Sequence, residues 1–173
     1  TKNGRTVYDG GGINPDIIVG NENPNKFIEN LLKSSLVFDY SNQYFHNNSV
    51  ESLENFHLDK KDFERFKKMS TEKKYRTIGK TQEDINRLKT LMAEEGFETM
   101  ETSFEGLEVS LLERKLKLIE AFKTDISSVL ESEIIKRYFY REGMYAYYLA
   151  TNTEVFKAQE VIDDLKVYQN ILK

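Results

Sequence analysis

The 173-residue chain has no cysteine and no tryptophan, only two prolines and two histidines, and no long apolar run. Each shortage removes a class of chemistry. Without cysteine there is no disulfide framework, no thiolate metal site and no cysteine nucleophile, although the compartment stays open because envelope proteins can also lack Cys. No apolar run approaches the roughly 20 residues that a membrane-spanning helix needs. No initiating Met, basic n-region or short apolar h-region opens the chain, so it is expected to start mid-protein. Asp and Glu number 29 against 25 Lys and Arg, a formal net charge of -4. That balance argues against a nucleic-acid partner, whose phosphates need neutralising.

Catalytic patterns are missing or incomplete. His46 and His57 form no His-x-x-x-His pair, and Glu54 to His57 supplies one half of a di-iron set, so no metal is expected. Gly-x-Ser-x-Gly is absent, which disfavours triad chemistry. Gly79-Lys80-Thr81 spells the end of a phosphate-binding loop, but Lys74 stands where its first glycine belongs. A turn leading to a helix cap at Thr81 is the better reading. Ser70-Thr71-Glu72-Lys73 has the Ser-x-x-Lys spacing of penicillin-binding enzymes without their Ser-Asp-Asn or Lys-Thr-Gly companions. Beside Lys67, Lys68 and Lys74 it reads as a solvated turn. Asn47-Asn48-Ser49 is a glycosylation sequon in spelling only. No catalytic, cofactor-binding or metal-ligating residue is therefore nominated.

What the chain does have is apolar material rich in aromatics. Eleven Phe and ten Tyr fall within a hydrophobic fraction of 39%, against 31% charged residues, which is a globular composition. Residues 5–19 form two short β-type runs around Gly10-Gly11-Gly12. A boundary is placed near Gly20, because 3.6-residue periodicity takes over once Asn23-Pro24 supply a cap and a proline at the first helical position. The first helix is predicted from Pro24 to Tyr44 on Phe27, Ile28, Leu31, Leu32, Val37 and Phe38. After a polar connector, Asp59 caps a short helix bearing Phe63, Phe66 and Met69. Thr81 and Asp84 open the next helix, lined by Ile85, Leu88 and Met92 and stopped at Gly96. The longest helix spans about 103–130, since Val109, Leu112, Leu116, Ile119, Phe122, Ile126 and Val129 recur at steps of three or four. Residues 133–150 carry apolar side chains almost all round, with Gly143 as a bend, and are expected to be the most buried helix. Within it, Arg137-Tyr138-Phe139-Tyr140-Arg141 could stack bases, but the acidic whole favours burial or docking on a partner domain. A last helix is capped by Thr153, with Val155, Ala158, Val161, Ile162 and Leu165 inward.

The stretch Gly4-Arg5-Thr6-Val7-Tyr8-Asp9-Gly10-Gly11-Gly12-Ile13-Asn14-Pro15-Asp16 resembles the last part of the protease core in bacterial carboxyl-terminal processing (tail-specific) serine peptidases, with Gly-Arg, a short strand, a Gly-rich turn and Ile-x-Pro-Asp in order. The remainder is similar to the aromatic-rich helical extension of the Bacteroidetes-type envelope members. Phe38-Asp39-Tyr40, Tyr44-Phe45, Glu133-Ile134-Ile135-Lys136-Arg137-Tyr138, Asp164-Leu165, Tyr168 and Ile171-Leu172 carry that likeness. The resemblance implies a Ser nucleophile, a Lys general base of lowered pKa and a PDZ module, all lying before this stretch in the family. None of those catalytic positions maps onto this sequence.

The expectation is therefore a mostly α, bundle-like helical domain with a long central helix, residues 21–173, preceded by the β-type end of a protease core, residues 1–20. The resemblance implies that it is proteolytically inert alone and lies in the periplasm or cell envelope. Its implied partners are the core and PDZ domain of the parent chain, protein or peptide substrates, and a second copy of itself, with no nucleic acid. The alternative is a free-standing helical interaction module.

Overall fold

The computed structural model describes residues 15–20, 25–53, 56–72, 75, 81–97 and 101–172. Among them are eight helices and no strand: α1 (Lys26–Lys33), α2 (Ser35–Asn47), α3 (Lys60–Met69), α4 (Thr81–Glu94), α5 (Glu101–Ala121), α6 (Lys123–Thr151), α7 (Thr153–Asp163) and α8 (Leu165–Ile171). The mostly α class read from the periodicity is the one the chain adopts. Residues 1–14, with the first β-type run and the glycine turn, lie outside the described residues, and Ile17, Ile18 and Val19 form no strand. The chain divides into two compact units, one of Pro24–Tyr147 and one joining Thr1–Asn23 to Tyr148–Lys173.

Local chemistry sets most helix ends. Asn25, rather than Asn23, caps α1, its Oδ1 accepting from the Phe27 N–H at 2.9 Å. The predicted first helix is cut at Ser34, whose extended backbone and bond from Oγ to the Leu31 carbonyl (2.6 Å) close α1 and start α2. Asp59 caps α3 as expected, accepting from the Asp62 N–H at 2.7 Å. Gly96 stops α4 at φ +83°, a conformation glycine adopts without steric cost. Its N–H bonds to the Ala93 carbonyl and the Phe97 N–H to the Met92 carbonyl, closing the left-handed cap. The cap of α7 is Asn152, one residue before Thr153, with Oδ1 accepting from the Glu154 and Val155 N–H groups. Asp164 repeats this for α8 and so splits the last predicted helix.

The core of the larger unit follows the apolar stripes. Leu31, Leu36, Val37, Tyr40, Phe63, Phe66, Ile119, Ile126, Leu130, Ile134 and Ile135 are buried together. Burying one such side chain is worth roughly 1.5–3 kcal/mol. The stripe predicted over 103–130 does pack, except at the exposed Val109, but it is shared between two helices that divide at Phe122. The second of these continues into the Tyr-rich segment, so the predicted boundary near residue 131 does not exist. The expectation that 133–150 is the most buried helix holds only in part, for Ile134, Ile135 and Gly143, with Tyr138, Phe139 and Tyr147 half-buried against the core. Ile134 and Ile135 are buried, whereas Tyr140, Tyr145, Tyr148 and Leu149 are exposed.

The change comes at Tyr140, where φ 56° and ψ −153° leave the helix and divide α6 into two helical pieces. Gly143 makes the break possible. A Cβ there would land on the Phe139 Cβ and 3.3 Å from Leu53 Cδ1. The sequence-predicted bend at Gly143 therefore sits three residues late, and the glycine serves close approach rather than the turn itself.

Candidate functional site

Ser70, the one candidate nucleophile singled out from sequence, is 0% exposed, and its Oγ donates to the Lys67 carbonyl at 2.6 Å. The lysine that reaches it is Lys115 of α5. Its Nζ donates to the Ser70 carbonyl oxygen at 2.7 Å and to the Tyr75 carbonyl, not to the hydroxyl. Lys115 is itself 5% exposed, and burial pushes its amine down to about 8. The lowered pKa thus belongs to a group that ties the chain leaving α3 onto α5. Lys73 and the Gly79-Lys80 pair lie outside the described residues.

Glu131 performs a similar task on α6. Buried to 6%, it accepts from the Leu58 N–H (2.8 Å) and the Tyr147 hydroxyl (2.6 Å), with His57 Nδ1 at 3.5 Å. The connector before α3 is thereby pinned to α6. Neither residue was flagged by sequence reasoning. The signal was a charge on an apolar stripe, since Lys115 lies four residues before Ile119 and Glu131 four before Ile135. Among the described residues no group of three or more His, Asp or Glu is placed to hold a metal ion.

Arg137 and Tyr138, candidates for base stacking, join α6 to α2. Arg137 bonds to the Asn42 Oδ1 (2.8 Å), the Phe38 carbonyl (3.2 Å) and Glu133, with its guanidinium 5.0 Å from the Phe38 ring centroid. The Tyr138 hydroxyl donates to the Asn48 carbonyl at 2.6 Å, and its ring centroid lies 4.7 Å from that of Phe45. These groups are committed to internal packing. Arg141, by contrast, is exposed and donates to the Tyr145 hydroxyl at 3.0 Å.

The smaller unit presents a different surface. No residue of α7 or α8 is buried, and Phe156, Ile162, Leu165, Val167, Tyr168 and Leu172 are all exposed. A groove of about 470 Å³ is formed where Pro15, Ile17, Ile18 and Val19 meet Ala158, Val161, Ile162 and Tyr168. Helices whose apolar side chains are at most half-buried form an incomplete core, and contiguous exposure of this kind marks an interaction surface. Binding through it needs no titratable chemistry. It is the candidate functional site, and it lies where residues 15–19 meet the last helices.

A family model described as "Probable PDZ-protease, C-terminal helical domain" matches residues 27–162. No curated protein and no solved structure matches the chain.

Proposed function

Because the chain belongs to the family of C-terminal helical domains of probable PDZ-proteases, we propose that it is the non-catalytic helical region of a carboxyl-terminal processing serine endopeptidase of the periplasm or cell envelope, docked on its protease core through the α7–α8 surface. In this reading residues 1–20 are the end of the core and residues 21–173 the helical domain. The observation that carries the reading is the groove on α7 and α8. One wall of it is the end of the segment that resembles a protease core, and Phe156, Ile162, Leu165 and Tyr168 of the two helices are exposed. The commitment of Ser70 and Lys115 to backbone carbonyls supports an inert role for the chain by itself.

The 173-residue chain incubated with unfolded protein is expected to leave it uncleaved and to take up no serine-directed label. Stoichiometric labelling at a single Ser would overturn the inert role. In the protein carrying the protease core ahead of this chain, Ile162→Asp with Leu165→Asp is expected to expose the helical region to limited proteolysis. Unchanged protection would overturn the docking surface.

A further inference from the structure

Tyr147 and Glu131 lie 16 residues apart on α6, yet the Tyr147 hydroxyl donates to Glu131 Oε2 at 2.6 Å. In an unbroken helix their Cα atoms would be about 24 Å apart, more than the two side chains can bridge. The bond therefore requires the piece of α6 after Tyr140 to turn back along the piece before it. The reversal rests on Tyr140, at φ 56° and ψ −153°, a backbone region open essentially to glycine alone.

Nothing in the local sequence asks for this turn. Residues 131–151 contain no Pro, Asn or Asp, and their single glycine, Gly143, stands three residues past the reversal. The residues on either side of Tyr140 are ones that a helix accommodates at little cost. Local preference thus favours a continuous α6, and tertiary contacts favour the folded-back form. Tyr147 is half-buried against the core, and Gly143 is buried beside Phe139 and Leu53 with no room for a Cβ. Glu131, 6% exposed, closes the bond to Tyr147 where water does not compete for it.

We propose that α6 is a two-state arm, folded back at rest under the Tyr147–Glu131 latch and straightening through Tyr140 into one continuous helix when that latch is released. Straightening relieves the Tyr140 backbone, withdraws Tyr147 from the core and opens the contact between Gly143 and Leu53. The bond from the Leu58 N–H to Glu131 does not involve the arm, so the connector before α3 stays pinned in both states. The inference rests on the Pro24–Tyr147 unit alone and stands apart from the protease assignment.

Because the chain has no cysteine, spin labels can be placed uniquely at Thr124→Cys and Ala146→Cys, both exposed positions of that unit. A continuous helix holds these positions about 33 Å apart, and folding back brings them about 10 Å closer or more. Pulsed electron–electron double resonance on the 173-residue chain should read the short distance, with the long one below about a tenth of the population. Tyr147→Phe, which removes only the hydroxyl, should raise the ratio of long to short at least fivefold. Glu131→Gln, which keeps one acceptor oxygen, should raise it about twofold, and it carries the test if far-UV circular dichroism shows that Tyr147→Phe loses helix. Adding Tyr140→Gly to Tyr147→Phe should restore the short distance, because glycine takes the reversal without strain and disfavours the continuous helix. The short distance alone in both latch variants overturns the proposal, as does a long distance that dominates before any latch substitution. A broad distribution that Tyr140→Gly does not narrow is local unfolding, and overturns it as well.

Discussion

Lys115 is an ammonium placed where apolar periodicity calls for a hydrophobic side chain, and its two backbone carbonyl partners explain why the position is tolerated. Its depressed pKa sets a direction for stability against pH. Below about pH 8 the folded and unfolded chains both hold the proton. Between about 8 and the ordinary 10.5 only the unfolded chain does, so the contribution of this site to stability rises with pH. From pH 7 to 9.5, urea denaturation should show the wild type gaining about 2 kcal/mol relative to Lys115→Met. A difference that is flat or falls with pH would contradict the assignment. Tyr40 acts oppositely, but at higher pH. Its buried phenol, bonded to the Asp62 carbonyl at 2.7 Å, is pushed well above its usual value, so ionisation of the unfolded tyrosine erodes stability above about pH 10. For Glu131, replacement by Ala leaves the Leu58 N–H and Tyr147 hydroxyl without their acceptor, and a loss of about 3 kcal/mol is expected. Glu131→Gln keeps one acceptor oxygen and should lose less in the same denaturation experiment.

Among the elements, α6 shows how a single break redirects a helix. Tyr140 is 74% exposed and sits in a backbone region that favours glycine, so its side chain gains little from packing while its backbone is strained. Tyr140→Gly should therefore stabilise the chain by about 1 kcal/mol. Gly143→Ala should do the reverse. In an ordinary helix that change is favourable by about 1 kcal/mol, but here the new methyl meets Phe139, and a loss of about 2 kcal/mol is expected. Thermal denaturation of both variants checks the pair. A stabilising Gly143→Ala would mean that the close approach is absent. The glycine was visible in the sequence, yet its role was not, because steric need depends on the neighbour that arrives after the chain has turned.

At the scale of the molecule, the two units differ in what holds them. The larger has a continuous core, whereas no residue of α7 or α8 is fully buried. Amide exchange by the isolated chain should accordingly be slowest at Ile126, Leu130, Ile134 and Ile135 and faster by orders of magnitude over residues 153–172, whose openings need little buried surface to be disrupted. Equal protection in the two regions would contradict an incomplete core. The family match to residues 27–162 embraces α2 through α6 and nearly all of α7. Both the core-bearing helices and most of the surface-exposed ones are thus parts of the same domain family.

The sequence by itself determined the mostly helical class, the α3 cap at Asp59, the stop at Gly96 and the apolar stripe through Ile119 and Ile126. These are local matters of spacing and capping, fixed within a few residues. Only the tertiary structure decided that Ser34 divides the first helix, that Tyr140, Tyr145 and Tyr148 are exposed while Tyr147 packs on the core, that Lys115 and Glu131 serve as internal ties, and that the last two helices have no fully buried residue. Each of those depends on partners distant in sequence. A stripe of apolar residues states that a face is available for burial, while only the arrival of another element settles whether it is buried.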